Sequence, residues 1–422
     1  MSFDRRRVLI GAGALPLAAG LASALPAAAR GKTDPAFWRG VAEQYDAPRD
    51  VIQLENGNWG MMARPVAAEY ATQVSRVNRD TSYYARRGMG ADLVAARNAL
   101  AGALGVPAEQ IAMTRNATEA LQALILGYNR LKAGDSVLYA DLDYDSMQAC
   151  MESLRAHRGV NVRRIALPYP ATRVSLVDAY RAAFDADPRI RLVLLTHLSH
   201  RTGLVVPVRE IVRLARERGI DAIVDAAHSW YQLDFALPDL DCDFVAINGH
   251  KWLGAPLGVA AMYIRETVLD RIDKHPANDA DAANNTQARV HTGTVDFAAQ
   301  LTVPAALAFQ EGIGRTRRAE RLRSLRNRWV RQVRGVDGIE VLTPDDPELH
   351  GGITSFRLRG ITDVAGNMAI ARTLLEQHGI FTVHRDGVAG GACVRVSPAL
   401  FNTETQMDAL ASALRLMASG HG

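Results

Sequence analysis

The stretch Asp243-Phe244-Val245-Ala246-Ile247-Asn248-Gly249-His250-Lys251-Trp252-Leu253 decides the fold. Its first half is a short apolar run, the pattern of a strand buried on both faces. Such strands belong to parallel sheets whose two sides are covered by helices. A lysine stands just past the end of the run. Lysine is rare in this chain, where Lys32, Lys132, Lys251 and Lys274 stand against 45 arginines. Arginine stays protonated and cannot act as an amine nucleophile, whereas a buried lysine can lose its proton and form a Schiff base.

Upstream, the apolar run at 220–224 ends in Asp225-Ala226-Ala227-His228. An acid after one strand and an amine after the next is the pairing that pyridoxal 5'-phosphate chemistry requires. The acid meets the ring nitrogen and the lysine holds the aldehyde. Each residue alone has a plainer reading, the aspartate as a turn residue and the lysine as a solvated side chain. Together, each after a buried-type strand, they are specific.

Working outward, strand-like runs at 111–114, 137–140, 192–196, 220–225 and 244–248 alternate with helical patterns. This is the signature of an α/β sheet. A helix is predicted from Val208, with Pro207 at its start and Gly219 after its end. A long helical pattern over 303–333 reads as a connector to a smaller C-terminal domain with strands near 353–358, 380–384 and 393–396. That domain closes with a helix after Thr403, whose capping box is Thr403-x-x-Gln406. The expected organisation is a signal at 1–29, an N-terminal arm at 30–64, a large cofactor-binding domain at 65–302, and the connector with the small domain at 303–422.

The composition, 48% hydrophobic and 22% charged over 422 residues, is that of an ordinary globular chain long enough for two domains. Half of the formal charge of +4 comes from Asp4-Arg5-Arg6-Arg7, so nothing points to nucleic acid. The twin arginine, the Gly/Ala-rich apolar stretch to Leu25 and the small residues Pro26-Ala27-Ala28-Ala29 read as a Tat export signal. They predict a periplasmic or secreted enzyme that meets the Tat machinery, with an uncleaved membrane anchor as the alternative. Cys150, Cys242 and Cys393 are odd in number and widely spaced, so neither a disulfide framework nor a metal site is expected.

Other candidate groups follow strand ends. Ala117 and Thr118, in Asn116-Ala117-Thr118-Glu119, open a helix and offer amides and a hydroxyl to a phosphate, or are an ordinary helix cap. Tyr144 could stack on a flat ring, or sit in an aspartate-rich surface turn. His197 and His200 lie on a loop leaving the sheet and are placed to titrate near neutrality or to touch a cofactor oxygen. His197 has the plainer alternative of a satisfied core residue.

These segments in this order resemble the class V aminotransferases, a branch of the fold-type-I pyridoxal-phosphate enzymes. The resemblance rests on the Asp225–His228 and Asn248–Trp252 motifs, Asn116–Ala120, His197–Gly203, Gly293-Thr294, and Arg395-Val396-Ser397 with Phe401-Asn402-Thr403. It covers about residues 50–415. The Tyr144 segment and the Asn-x-His-Lys-Trp pattern are similar to isopenicillin N epimerase-like members.

The resemblance implies a mainly parallel seven-stranded sheet flanked by helices, with a smaller α+β C-terminal domain. It implies that Lys251 forms the Schiff base and moves the α-proton, that Asp225 keeps the ring nitrogen protonated, and that His228 bonds near the phenolate oxygen. Tyr144 would stack on the ring. Thr118, Asn248 and His250, with the Ala117 amide, would hold the phosphate. Thr294 would reach the phosphate in a neighbouring subunit, which implies a homodimer with shared sites. Arg395 would bind the substrate carboxylate, assisted by Asn58. Where relatives often carry Asn or Ser, this chain has His200. Cys393 lies two residues before Arg395 and reads as packed, which argues against a desulfurase that uses a mobile cysteine.

The preferred expectation is an epimerase or aminotransferase acting at the α-carbon of an amino acid or an amino-acid-ended peptide. For epimerisation His200 or Tyr144 is the expected second acid. The alternatives are a lyase that cleaves a carbon–sulfur bond by β-elimination, and a non-catalytic binding protein on the same scaffold.

Overall fold

A computed structural model describes residues 34–278 and 283–419. The Tat signal expected at 1–29 lies outside the described residues. The arm enters with the helix Pro35–Ala42 and a two-residue strand, β1 (Ile52–Gln53).

The large sheet is built from β2 (Ile111–Thr114), β3 (Ser136–Ala140), β4 (Asn161–Ile165), β5 (Ile190–Thr196), β6 (Asp221–Asp225), β7 (Phe244–Asn248) and β8 (Ala260–Ile264). Its seven strands run in the order β2-β8-β7-β6-β5-β3-β4. Only β8 is antiparallel to its neighbours, so the sheet is mainly parallel as expected. Every residue of β7 is buried, which is what a strand covered on both faces needs. The sequence reading missed β4. Its Asn-Val-Arg-Arg-Ile pattern lacks an apolar run because it is an edge strand with Arg163 and Arg164 exposed.

Parallel strands end at one edge, so the residues that follow β2, β3, β5, β6 and β7 converge there. The crevice outside these carboxyl ends is where ligands bind in α/β sheets. Asn116, Tyr144, His200, His228 and Lys251 all lie just past such an end.

The connector is two helices, Val303–Ile313 and Arg315–Val333, and not one. Gly314, at φ 93°, breaks the run. Beyond it, β9 (Ile339–Val341), β10 (Thr354–Leu358), β11 (Ile380–Phe381), β12 (Val383–Arg385) and β13 (Cys393–Val396) form the small domain's strands. Four of them pair antiparallel in the order β12-β13-β10-β9, over a core that includes Trp329, Phe356, Leu374 and Leu410. The closing helix Glu404–Ser419 carries the expected capping box. The Thr403 hydroxyl accepts from the Gln406 amide at 3.2 Å, and the Gln406 side chain accepts from the Thr403 amide at 3.1 Å.

β11 does not join that sheet. It pairs in parallel with β1 of the arm, and an isolated bridge links Glu55 to Ser397. The arm is thereby stitched to the small domain beside Arg395.

Candidate active site

At the carboxyl edge of the large sheet lies a cavity of about 360 Å³. It is lined by Asn58, Ala117, Thr118, Tyr144, His200, Asp225, His228, Asn248, His250, Lys251 and Arg395 among others. Residues expected from sites spread over most of the chain thus meet in one place. Thr294 and His197 are the exceptions. Thr294 is exposed, His197 is buried against Phe235, and neither lines this cavity.

Lys251 is held from behind by the arm. The Gly60 amide donates to the His250 carbonyl at 2.8 Å, and a Cβ on Gly60 would lie 1.8 Å from the Lys251 carbonyl oxygen. Only glycine lets the two backbones approach this closely. The Lys251 amine points to the imidazole of His228, Nζ to Nε2 at 2.8 Å. On the ring's other nitrogen, Trp252 Nε1 faces His228 Nδ1 at 3.4 Å. An indole N–H can only donate, so Nδ1 accepts and the proton of the neutral ring is assigned to Nε2. His228 is held neutral, because burial and then the charge of Lys251 push its pKa well below the ordinary value. The Nε2–H can donate to the lone pair of the Lys251 amine once that amine has lost its proton. Burial lowers the Lys251 pKa to about 8, against the opposing pull of Asp225.

Asp225 ends β6 and is buried, which raises its pKa. It accepts a hydrogen bond from the Ala227 amide at 2.8 Å. A buried carboxylate with a single such bond suits a cationic N–H partner in the cavity.

At the cavity's other end, the helix Ala117–Gly127 starts with Asn116 as its cap, accepting from the Glu119 amide at 2.8 Å. The Ala117 amide, expected to face a phosphate, donates instead to the Asn248 side chain at 2.8 Å. Asn248 thereby ties β7 to the helix start, and Thr118 remains as the residue there to meet an anion. His250 differs as well. Its Nδ1 faces the Val259 carbonyl at 3.1 Å and burial lowers its pKa to about 4. It meets an anion as a neutral ring with a lone pair at Nε2, unless a dianion beside it raises that pKa again.

The titrating role expected of the two loop histidines is corrected. Burial lowers His197 to about 4. His200 is pushed well below the ordinary range by burial and by Arg201 and Arg395. Neither ring charges near neutrality. His200 lies against Tyr144, edge to face, with ring centroids 5.2 Å apart.

Arg395 is almost wholly buried, and donates to the His200 carbonyl at 2.7 Å and to Glu55 at 2.5 Å. Arg385 on β12 also lines the cavity, with a terminal nitrogen 3.7 Å from the same Glu55 oxygen. Neither Glu55 nor Arg385 was anticipated. Glu55 opens the Glu-Asn-Gly-Asn segment in which only Asn58 drew notice, and Arg385 is one of many arginines. Arg201 was missed for the same reason. It is buried and ties the carbonyls of Asp141 and Gly387 to the Asp145 carboxylate, joining the large domain to the loop after β12.

Pyridoxal 5'-phosphate fits this set. A buried lysine whose pKa is lowered to about 8 can take the aldehyde, a buried carboxylate can take the ring N–H, a tyrosine flanks the space between, and a capped helix start with a free hydroxyl can take the phosphate.

The sequence pattern of the aminotransferase class-V family matches residues 64–411. The chain is 33% identical to an isopenicillin N epimerase of Amycolatopsis lactamdurans, over 90% of this chain and 98% of that one. It is 27% identical to a putative L-cysteine desulfhydrase of Oryza sativa subsp. japonica, over 74% of this chain and 71% of that one. Among solved structures, the apo cysteine desulfurase of Thermococcus onnurineus NA1 superposes with a TM-score of 0.76 at 20% identity, covering 90% of this chain and 98% of that one. This last likeness speaks to the fold.

Proposed function

Because the chain belongs to the aminotransferase class-V family, and is a pyridoxal-phosphate enzyme acting on an amino-acid substrate through Lys251, we propose that it is a carbon–sulfur lyase working by β-elimination on a sulfur amino acid. The bound cofactor supplies the electron sink at the α-carbon. Lys251 takes the α-proton as a neutral amine, a state that its burial and the His228 N–H favour. Asp225 holds the proton of the ring nitrogen. Arg395 receives the substrate carboxylate. Loss of the α-proton and of the β-thiolate, followed by hydrolysis, turns L-cysteine into sulfide, pyruvate and ammonia.

The observation that carries this reading is the state of His200. Epimerisation needs a second acid across from Lys251, and His200 was, with Tyr144, one of the two residues expected to supply it. Its burial keeps it uncharged at neutral pH. Elimination needs only the one base. The likeness to a putative L-cysteine desulfhydrase supports this lyase reading over the aminotransferase reading. Chemistry through a cysteine persulfide has little support, since Cys150, Cys242 and Cys393 are all buried.

Epimerisation stands as the second reading, favoured by the likeness to isopenicillin N epimerase along nearly its whole length. Incubating the purified enzyme with L-cysteine, L-alanine and a D-amino acid separates the two. Sulfide and pyruvate formed without an added keto acid support the lyase. An inverted amino acid as sole product, or strict dependence on a keto acid, would sink it.

We further propose a homodimer in which the exposed Thr294 serves the neighbouring copy's phosphate, and export by the Tat route. A monomer in light scattering of the holoenzyme would refute the first. Retention in the cytoplasm when Arg5 and Arg6 are intact would refute the second.

A further inference from the structure

Arg385 and Arg395 stand on adjacent antiparallel strands. Arg385 is opposite Cys393 in register, so Arg395 is its diagonal neighbour on the same face. Both guanidiniums turn toward one carboxylate, Glu55, at 3.7 Å and 2.5 Å. The Arg395 fork is closed on this side by Glu55 and on the other by the His200 carbonyl. Its remaining room is set by Gly57, where a Cβ would lie 2.7 Å from an Arg395 terminal nitrogen. Arg385 is held more loosely. Its ion pair is long, its Nε is buried without a partner, and its one hydrogen bond, to the His384 carbonyl, measures 3.4 Å. The second oxygen of Glu55 is likewise buried without a partner.

Charge counting decides what this wall accepts. Within this cluster two guanidiniums and one carboxylate leave a single positive charge, while Lys251, Asp145, Asp225 and Asp386 line the rest of the cavity. A buried charge is costly unless it is paired, so an anion entering here is favoured up to that one charge and opposed beyond it.

We propose that Arg385 shares with Arg395 the binding of the substrate carboxylate, and that Glu55 is a specificity-determining residue which limits the site to amino acids bearing one carboxylate. Glu55 acts through the arginines and is a positioning residue, with no contact to the reacting atoms. The proposal rests on the reading of this cavity as an amino-acid site, and is independent of whether elimination or inversion follows.

The test is calorimetric binding of propanoate and glutarate to the holoenzyme, which requires no turnover. The wild-type protein should bind propanoate at least as well as glutarate. Arg385→Gln should weaken propanoate by about tenfold, the scale of one charge-assisted hydrogen bond. Glu55→Gln should shift the preference toward glutarate by about tenfold or more, and Glu55→Asp should not. Should Glu55→Gln fail to fold, the Arg385→Gln result and the wild-type preference still decide. Propanoate binding unaffected by Arg385→Gln, or a wild-type preference for glutarate, would overturn the proposal. A product assay that finds inversion in place of elimination would overturn the lyase reading and leave this one standing.

Discussion

The amine of Lys251 lies 2.8 Å from Nε2 of His228, whose other nitrogen faces the Trp252 indole. Three residues thus form a relay in which a donor-only group fixes a tautomer, and the tautomer favours an uncharged lysine. The relay suits Lys251, once it has lost its proton, to the nucleophile's role proposed for it.

The first prediction concerns pH. An ordinary lysine titrates near 10.5, and burial brings Lys251 to about 8. The neutral amine is the reacting form, so cofactor uptake by the apoprotein should accelerate as pH rises and level off above about 8. The same shift has a stability consequence. Between about 8 and 10.5 the unfolded chain holds a proton that the folded lysine has lost, so this group makes folding more favourable as pH rises through that window. Stopped-flow absorbance of cofactor uptake checks the first statement. A rate still climbing in proportion to hydroxide at pH 10 would contradict it.

Trp252→Phe removes the donor that fixes the His228 tautomer. The ring is then free to put its lone pair at Nε2 and accept from a charged lysine. The midpoint of cofactor uptake should move to higher pH, by less than about one unit because the bond lost is long. Nitrogen NMR of His228 reports the tautomer directly. An unchanged Nε2–H tautomer in the variant would show that the indole does not set it.

Gly60→Ala tests the arm's hold on Lys251. The added methyl would sit 1.8 Å from a carbonyl oxygen that cannot rotate away. A loss of stability at or above the upper end of the usual overpacking range, about 3 kcal/mol, is expected, together with weaker cofactor retention. Denaturant melts of the apo and holo proteins measure both.

Arg201→Met cuts the link between the large domain and the loop after β12. It removes the donor to the Gly387 carbonyl and one of two donors to the Asp141 carbonyl, where Gln148 Nε2 remains at 3.1 Å. The cost should be about 0.5–1.5 kcal/mol for each hydrogen bond lost, since Gln148 still serves the Asp141 carbonyl and Gly387 is exposed, with Asp145 losing little because it is largely exposed. Hydrogen exchange should rise around residues 386–389 while the core of β7 stays protected.

Much of this was legible in the sequence because buried parallel strands write themselves as apolar runs. β2, β5, β6 and β7 were found that way, and the residues at their ends came with them. What was missed has a common physical cause. β4 is an edge strand, so half of its residues face water and the run disappears. Gly314 divides the connector, but a single glycine within a helical pattern does not announce a break. Glu55, Arg201 and Arg385 act through partners distant in sequence, and a charged residue shows no sign of its partner until the chain is folded. Ala117 was assigned to a phosphate from its place at a helix start, and His250 from resemblance. The fold shows that one amide is already engaged by Asn248, and that the imidazole is neutral with its Nδ1 against a carbonyl.

The central claim is that Lys251 carries the cofactor. Borohydride reduction of the holoenzyme, followed by proteolysis and mass spectrometry, tests it most directly, since the chain offers only Lys32, Lys132, Lys251 and Lys274. The account predicts a single phosphopyridoxyl modification on the peptide containing Lys251, absent in Lys251→Ala. A modification on one of the other three lysines, or one that survives in Lys251→Ala, would contradict it.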